Sequence, residues 1–122
     1  MADQILETQV RTNPEAPGVA IIDLRGEINS FAEAALNSAY AEAVKAEPGS
    51  VVLNFRGVDY INSTGIALIV SLLAQARKSH RKLLTVGLSE HYVEIFKITR
   101  LSDFMGIYAD EQAAMQSLPQ AV

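Results

Sequence analysis

The chain has 122 residues, of which 49% are hydrophobic, so it is long enough to bury a core and is not an intrinsically disordered protein. It contains no cysteine, which excludes disulfides, thiolate metal sites and thiol catalysis, and its net charge of −4 argues against a nucleic-acid partner. No apolar run approaches the roughly 20 residues that span a bilayer, and the amino-terminal segment lacks the pattern of a secretory signal. We therefore predict one cytoplasmic domain, residues 1–122, without membrane insertion.

The first part of the chain predicts two strands and a helix. Ile5–Val10 alternates weakly, as an edge strand does, and Val19–Leu24 is nearly continuously apolar, as in a strand buried on both faces. Ser30 and Glu33 have the spacing of a capping box, which predicts that Ser30 begins a helix. The alanine-rich segment Phe31–Ala46 continues this helix.

The rest of the chain alternates strands with helices. The predicted strands are Val51–Phe55, Leu83–Val86 and Phe104–Tyr108, and the predicted helices are Thr64–Lys78, a short helix from its cap at Ser89 to about Ile98, and Asp110–Leu118. Such alternation requires crossover connections and indicates a mainly parallel or mixed sheet.

A polar step, Asn62-Ser63-Thr64-Gly65, opens the helix that follows the strand Val51–Phe55. It places hydroxyl side chains where a helix exposes unpaired N–H groups and the positive end of its dipole. Such a position suits a phosphate, either bound or covalently attached. Asn, Ser and Thr are also ordinary helix caps, so the residues alone leave a structural cap and a regulatory hydroxyl as alternatives.

An enzymatic role for this step lacks the residues that it would need. Activation of Ser63 requires an adjacent base, and the two histidines, His80 and His91, have no sequence context that suggests a triad. Neither a Gly-x-Ser-x-Gly elbow nor a phosphate-cradling Gly-x-x-x-x-Gly-Lys loop occurs in the chain. We therefore predict a protein that is not an enzyme and has no catalytic residue, metal or cofactor.

The helix after Ser63 has a predicted core face and a predicted outer face. The core-facing stripe at helical spacing consists of Ile66, Ile69, Val70 and Leu73. Leu68 lies among polar residues on the opposite face, one turn beyond the hydroxyl pair. It is either an ordinary exposed leucine or part of an interface, which Leu72 would extend.

The segment Val58–Ile69 reads Val-Asp-Tyr-Ile-Asn-Ser-Thr-Gly-Ile-Ala-Leu-Ile. It resembles the signature of the STAS domain family, the anti-sigma factor antagonists of bacteria, which is roughly Val-Asp-Phe-Ile-Asp-Ser-Ser/Thr-Gly-Leu after an apolar strand. Three other segments are similar to the family in the same order and spacing, namely Gly26–Asn29, Val93–Leu101 and Ile107–Ala113. The resemblance extends from about residue 19 to residue 118.

The resemblance implies an α/β fold with a mixed sheet of four to five strands and about four helices packed mainly on one side. It implies an anti-sigma factor antagonist that works by partner switching. The implied partner is an anti-sigma factor that is also a serine kinase. A phosphatase and other STAS proteins are further implied partners. Ser63 matches the family's phosphorylated serine, and Thr64 is the second candidate. The implied partner-binding residues are Asn62, Ser63, Thr64, Gly65, Leu68 and Leu72.

One residue departs from the family pattern. Asn62 stands where the family usually has Asp. The asparagine side chain can still cap the helix, but it carries no negative charge beside Ser63. If a kinase uses that carboxylate, phosphorylation would be slow or absent; if the Asp is only a cap, little changes. Two alternatives do not require phosphorylation, namely a scaffold subunit of a signalling complex and a cytoplasmic accessory subunit of a lipid or anion transporter.

Overall fold

The computed structural model describes residues 6–118, in which strands and helices alternate after an initial strand pair. The strands are β1 (Glu7–Asn13), β2 (Ala16–Ile28), β3 (Ser50–Ile61), β4 (Lys82–Val86) and β5 (Gly106–Tyr108). The helices are α1 (Glu33–Ala43), α2 (Ser63–Lys78), α3 (Glu90–Ile98) and α4 (Glu111–Gln116), with 3-10 turns at Ser30–Ala32, Val44–Ala46 and Leu101–Asp103. None of these helices is long and apolar enough to cross a bilayer.

The strands form one sheet in the order β1-β2-β3-β4-β5, with β1 antiparallel to β2 and the other pairs parallel. This confirms the predicted mixed α/β fold. β2 and β3 are longer than predicted, because their pairing continues beyond the end of β4 as far as Ile28 and Ile61. The predicted start of the first strand, Ile5, lies outside the described residues.

The helices cover both faces of the sheet, but three of the four within residues 6–118 lie on one face. The main core joins α1, α2 and α3 to alternate residues of the inner strands, among them Ala20, Ile22, Leu24, Val51, Leu53 and Phe55. A smaller cluster on the other face packs α4, through Ala114 and Met115, against Val19, Ile21, Val52, Leu84 and Val86. Strand β2 is therefore buried on both faces, as predicted.

The predicted capping box at the first helix is wrong. The cap is Asn29, whose side chain accepts a hydrogen bond from the N–H of Phe31 at 2.9 Å, and the chain passes through a 3-10 turn before α1 begins at Glu33. Because β2 continues to Ile28, Asn29 is the first residue after the strand. Ser30 consequently lies inside the turn rather than in front of the helix.

The face that α2 turns towards the core also differs from the prediction. Its buried residues are Gly65, Ile69, Leu72, Leu73 and Ala76. Val70, predicted to lie in the core, is 43% exposed, whereas Leu72, predicted to extend an outer patch, is only 1% exposed. Leu68 is half-buried and packs against the main core. The buried stripe includes the small residues Gly65 and Ala76, which a search for large apolar side chains does not detect.

Candidate functional site

The polar step before α2 lies at the carboxyl edge of the sheet, where β2 and β3 end together. Ile28 and Ile61 are paired across these two strands. The N–H of Asn62 then donates to the carbonyl oxygen of Ile28 at 3.2 Å. The chain that leaves β3 is therefore held against the end of β2 at the residue that precedes Ser63.

Gly65 permits the first turn of α2 to press against this strand end. A Cβ atom added at Gly65 would overlap the carbonyl oxygen of Ile28 and lie 2.9 Å from Cγ2 of Ile61. Gly65 is itself buried. Its contribution to the site is close packing, because a partner cannot reach it directly.

The cap of α2 and its exposed hydroxyls are separate residues. Asn62 is the cap, and its Oδ1 accepts a hydrogen bond from the N–H of Gly65 at 2.8 Å. Ser63 and Thr64 are the first two residues of the helix, and both are exposed. The sequence left a structural cap and a regulatory hydroxyl as alternatives for these residues. In the structure Asn62 is the cap, and the Ser63 hydroxyl is accessible at the helix terminus.

The N-terminus of α2 favours an added negative charge on Ser63. The helix α2 is 16 residues long and carries no acidic residue in its first turn, whereas Arg77 and Lys78 lie in its last turn. The partial positive charge at its N-terminus is therefore not neutralised by a carboxylate of that turn. A phosphate on Ser63 would lie next to unpaired N–H groups of its own helix.

Tyr92 of α3 holds the end of β3 from the side opposite β2. Its phenolic oxygen accepts a hydrogen bond from the N–H of Ile61 at 2.9 Å and donates to the carbonyl oxygen of the same residue at 3.3 Å. Both Tyr92 and Ile61 are buried, at 8% and 5% exposure. The sequence contains no signal for this contact, since the two residues are 31 positions apart.

Two exposed aromatic residues lie on elements next to the site. Phe31, 72% exposed, lies in the 3-10 turn that follows β2 and contacts α2. Tyr60, 52% exposed, is paired with Glu27 at the end of β3, three residues before Ser63. Neither exposed side chain is predicted from the sequence, because Phe31 falls in the first predicted helix and Tyr60 is only one residue of the family signature.

A pair of salt bridges on the other face of the sheet connects α4 to it. Arg11 donates to both carboxylate oxygens of Asp23, at 2.7 and 3.1 Å, and to Glu111 of α4 at 2.6 Å. Hydrogen bonding to Arg11 lowers the pKa of Asp23 below its usual value, against the opposing effect of burial, with a smaller contribution from Asn54. These groups are structural, and within residues 6–118 no cluster of three His, Asp or Glu side chains could hold a metal ion.

Similarity to known proteins covers nearly the whole domain. Residues 10–114 match the profile of the STAS domain. BtrV of Bordetella bronchiseptica, a candidate anti-sigma factor antagonist, is 26% identical over 91% of this chain and 96% of its own length. An anti-sigma-B factor antagonist of Staphylococcus aureus is 32% identical over 57 residues, which are 47% of this chain and 53% of that protein.

Solved structures show the same fold at low sequence identity. An anti-sigma factor antagonist from Mycobacterium paratuberculosis superimposes with a TM-score of 0.77 at 20% identity over 92% of each chain. The Bacillus cell fate determinant SpoIIAA in its phosphorylated form gives a TM-score of 0.69 at 17% identity, over 93% of this chain and all of that one. Because the STAS domain profile matches residues 10–114, which are most of the sequence, this chain belongs to the STAS domain family.

Proposed function

We propose that this protein is an anti-sigma factor antagonist that acts by partner switching and is regulated by phosphorylation of Ser63. The main observation behind the proposal is that Asn62 caps α2 and leaves the Ser63 hydroxyl exposed. The anti-sigma factor antagonists among the similar proteins support it, as does the existence of a phosphorylated form of one structural neighbour.

The docking surface for the anti-sigma factor is centred on the exposed start of α2. Ser63 and Thr64 form its middle, and Asn62 is partly accessible beside them. The exposed aromatic side chains of Phe31 and Tyr60 supply the apolar contact area that binding hot spots commonly use. Leu68 contributes only its exposed edge, because it also packs against the core.

Phosphorylation ends the interaction by changing the charge of this surface. A phosphoserine carries about −1.5 to −2 charges at neutral pH. On Ser63 this charge is stabilised by the N-terminus of α2, so the domain remains folded. Burying the same charge against an acidic or apolar partner surface would cost several kcal/mol. The partner therefore dissociates without any refolding of the domain.

The proposed partner is an anti-sigma factor that is also a serine kinase, and a phosphatase restores the binding form. The protein itself works in the cytoplasm as a non-enzymatic binding module. Because Asn62 provides no carboxylate, the kinase must orient the Ser63 hydroxyl with its own groups. Thr64, the second exposed hydroxyl, is the alternative acceptor.

Asn62 also favours a second candidate function that needs no phosphate. In it, the domain is a scaffold that assembles with other STAS domains, or an accessory subunit of a lipid or anion transporter. The mass of the native complex separates these roles. A scaffold elutes as a large assembly, an accessory subunit elutes with a transporter, and a partner-switching antagonist elutes in a small complex with a kinase.

The decisive experiment uses the anti-sigma factor that co-purifies with the native chain from its source organism. After incubation of the two proteins with ATP, mass spectrometry should find phosphate on Ser63. In calorimetry, Ser63→Glu should weaken binding at least about tenfold, which corresponds to about 1.4 kcal/mol. Ser38→Glu is the matched control, because Ser38 is exposed on α1 and the substitution adds the same charge away from the site. Equal affinity for wild type and Ser63→Glu, or phosphate only at Thr64, would overturn the assignment.

A further inference from the structure

We infer that Tyr92 of α3 is a positioning residue for Ser63. Its contact with the end of β3 fixes the position in which the Ser63 hydroxyl is presented to the kinase. This inference rests on the proposed function. It starts from the two hydrogen bonds that join the Tyr92 phenol to the N–H and the carbonyl group of Ile61. Ile61 is separated from Ser63 by a single residue, the cap Asn62.

The geometry shows why β3 needs this contact. β4 ends at Val86, which is paired with Asn54, so β3 continues for seven residues without a strand neighbour on that side. The N–H and the carbonyl group of one residue in a strand point to the same side. At Ile61 that side faces α3, and the Tyr92 hydroxyl takes the place of the missing strand by accepting from one group and donating to the other.

The junction before Ser63 is thereby held from both sides at consecutive residues. Tyr92 binds Ile61 on the α3 side, and the N–H of Asn62 donates to Ile28 on the β2 side. The phenol is itself well anchored, because α3 is capped by Ser89. One turn further along α3, Phe96 is fully buried in an edge-to-face contact with Phe55, with ring centroids 6.2 Å apart.

Removal of the hydroxyl would leave a buried N–H and a buried carbonyl group without their partner. Such unpaired groups are costly, and the end of β3 would relax or admit water to satisfy them. The first turn of α2 would then be held only on the β2 side, by the contacts of Asn62 and Gly65 with Ile28. Phosphoryl transfer depends on placing the attacking oxygen in line with the phosphate, so a looser Ser63 would be a poorer substrate.

The chain offers a matched pair of variants. Tyr92→Phe removes the hydroxyl that binds Ile61. Tyr40→Phe removes a hydroxyl that is also buried, in a residue of 5% exposure, which lies near Arg81 but makes no hydrogen bond of good geometry among the described residues. Both changes keep the aromatic ring and its packing. A difference between the variants therefore reports the hydrogen bonds.

The first measurement needs no partner. Amide hydrogen exchange, followed by NMR on the full chain, should become about tenfold faster at Ile61, Asn62 and Gly65 in Tyr92→Phe and remain unchanged in Tyr40→Phe. Exchange at Val52 and Leu53, in the middle of the same strand, should not change in either variant. Uniform acceleration of exchange across the sheet would show that the hydroxyl has a merely structural role. Unchanged exchange at Ile61 would show that the hydroxyl does not hold the end of β3. Either result overturns the inference.

The second measurement uses the anti-sigma factor kinase obtained in the experiment of the preceding section. The kcat/KM for phosphorylation of Ser63 should fall at least about tenfold in Tyr92→Phe and stay at the wild-type value in Tyr40→Phe. Phosphorylation of Tyr92→Phe at the wild-type rate would overturn the positioning role and leave the proposed function intact. Failure of an active kinase to modify wild-type protein would overturn the proposed function and, with it, the role of Tyr92.

Discussion

The side chain of Asn62 closes the N-terminus of α2 by accepting a hydrogen bond from the N–H of Gly65 at 2.8 Å. The residue between them that carries the proposed regulatory hydroxyl, Ser63, is thus released from capping and lies exposed. Stability and regulation can therefore be changed separately at neighbouring positions. Substitutions of Asn62 should act on the helix, and substitutions of Ser63 should act on the partner.

Asn62→Ala should lower the free energy of unfolding by about 1 kcal/mol, because the N–H of Gly65 loses its acceptor. Asn62→Asp should leave it within about 0.5 kcal/mol of wild type, since a carboxylate caps equally well and complements the dipole. Urea unfolding measures both. The control is Ser30→Ala, which should have no effect because the cap there is Asn29. A loss in Ser30→Ala as large as that in Asn62→Ala would contradict this description of the caps.

Gly65→Ala should destabilise the domain by about 3 kcal/mol or more, since the new methyl group overlaps the backbone of Ile28 and something must shift. Thermal melting is the measurement. Gly49→Ala serves as the control, because a Cβ at Gly49 would meet no atom within 4 Å. Its melting temperature should remain close to that of wild type. Two equally stable variants would mean that α2 does not press against β2 as described.

The order of the elements could be predicted from the sequence because it depends on local patterns. Alternation of apolar runs and helical stretches identifies the strands and helices without knowledge of their neighbours. The ends of β2 and β3 could not be predicted in this way. Their last residues, Arg25–Ile28 and Arg56–Ile61, are in strands because they pair with one another, and two bulges interrupt the pairing.

In the candidate site, too, features that depend on local sequence could be predicted, and features that depend on long-range contacts could not. The polar step that opens α2 is a local signal, and the sequence predicted the helix start at Thr64, one residue after the observed start at Ser63. Which residue is the cap was left open by the sequence, and the structure shows Asn62. The orientation of α2 depends on Gly65 approaching Ile28, a contact between residues that are far apart in the chain. The hydrogen bonds from Tyr92 to Ile61 are also long-range. Contacts of this kind leave no periodic trace in the sequence.

The corrected orientation of α2 predicts that the same substitution destabilises the domain at Leu68 and has little effect at Val70. Leu68→Asp should cost about 2 kcal/mol of stability, because Leu68 packs against the main core and a carboxylate there loses its water. Val70→Asp should change stability by less than about 0.5 kcal/mol, because Val70 is 43% exposed. Chemical denaturation of both variants, each carrying the same added charge, gives the comparison. A more destabilised Val70 variant would restore the helix face predicted from the sequence.

The ion pairs of Arg11 predict how stability depends on pH. Because the pKa of Asp23 is lower in the folded protein than its ordinary value of 3.8, the folded state favours the ionised form. The resulting stabilisation is complete above the ordinary pKa and disappears as the pH falls through the lower pKa of the folded state. Since Asp23 and Arg11 are about one third exposed, at 28% and 36% of their side chains, we expect a contribution of about 1 kcal/mol.

Asp23→Asn should therefore be less stable than wild type by about 1 kcal/mol at neutral pH, and the difference should shrink towards zero as the pH falls below the ordinary pKa of 3.8 and through the lower pKa of the folded state. Unfolding by urea at a series of pH values measures it. The control is Asp103→Asn, which breaks the ion pair with Arg100, whose side chain is 79% exposed. That variant should show no measurable loss at any pH, because water and salt screen exposed pairs. A deficit of Asp23→Asn that stayed constant as the pH fell well below 4 would indicate lost packing rather than the loss of an ionised carboxylate that is stabilised by Arg11, which also binds Glu111 of α4.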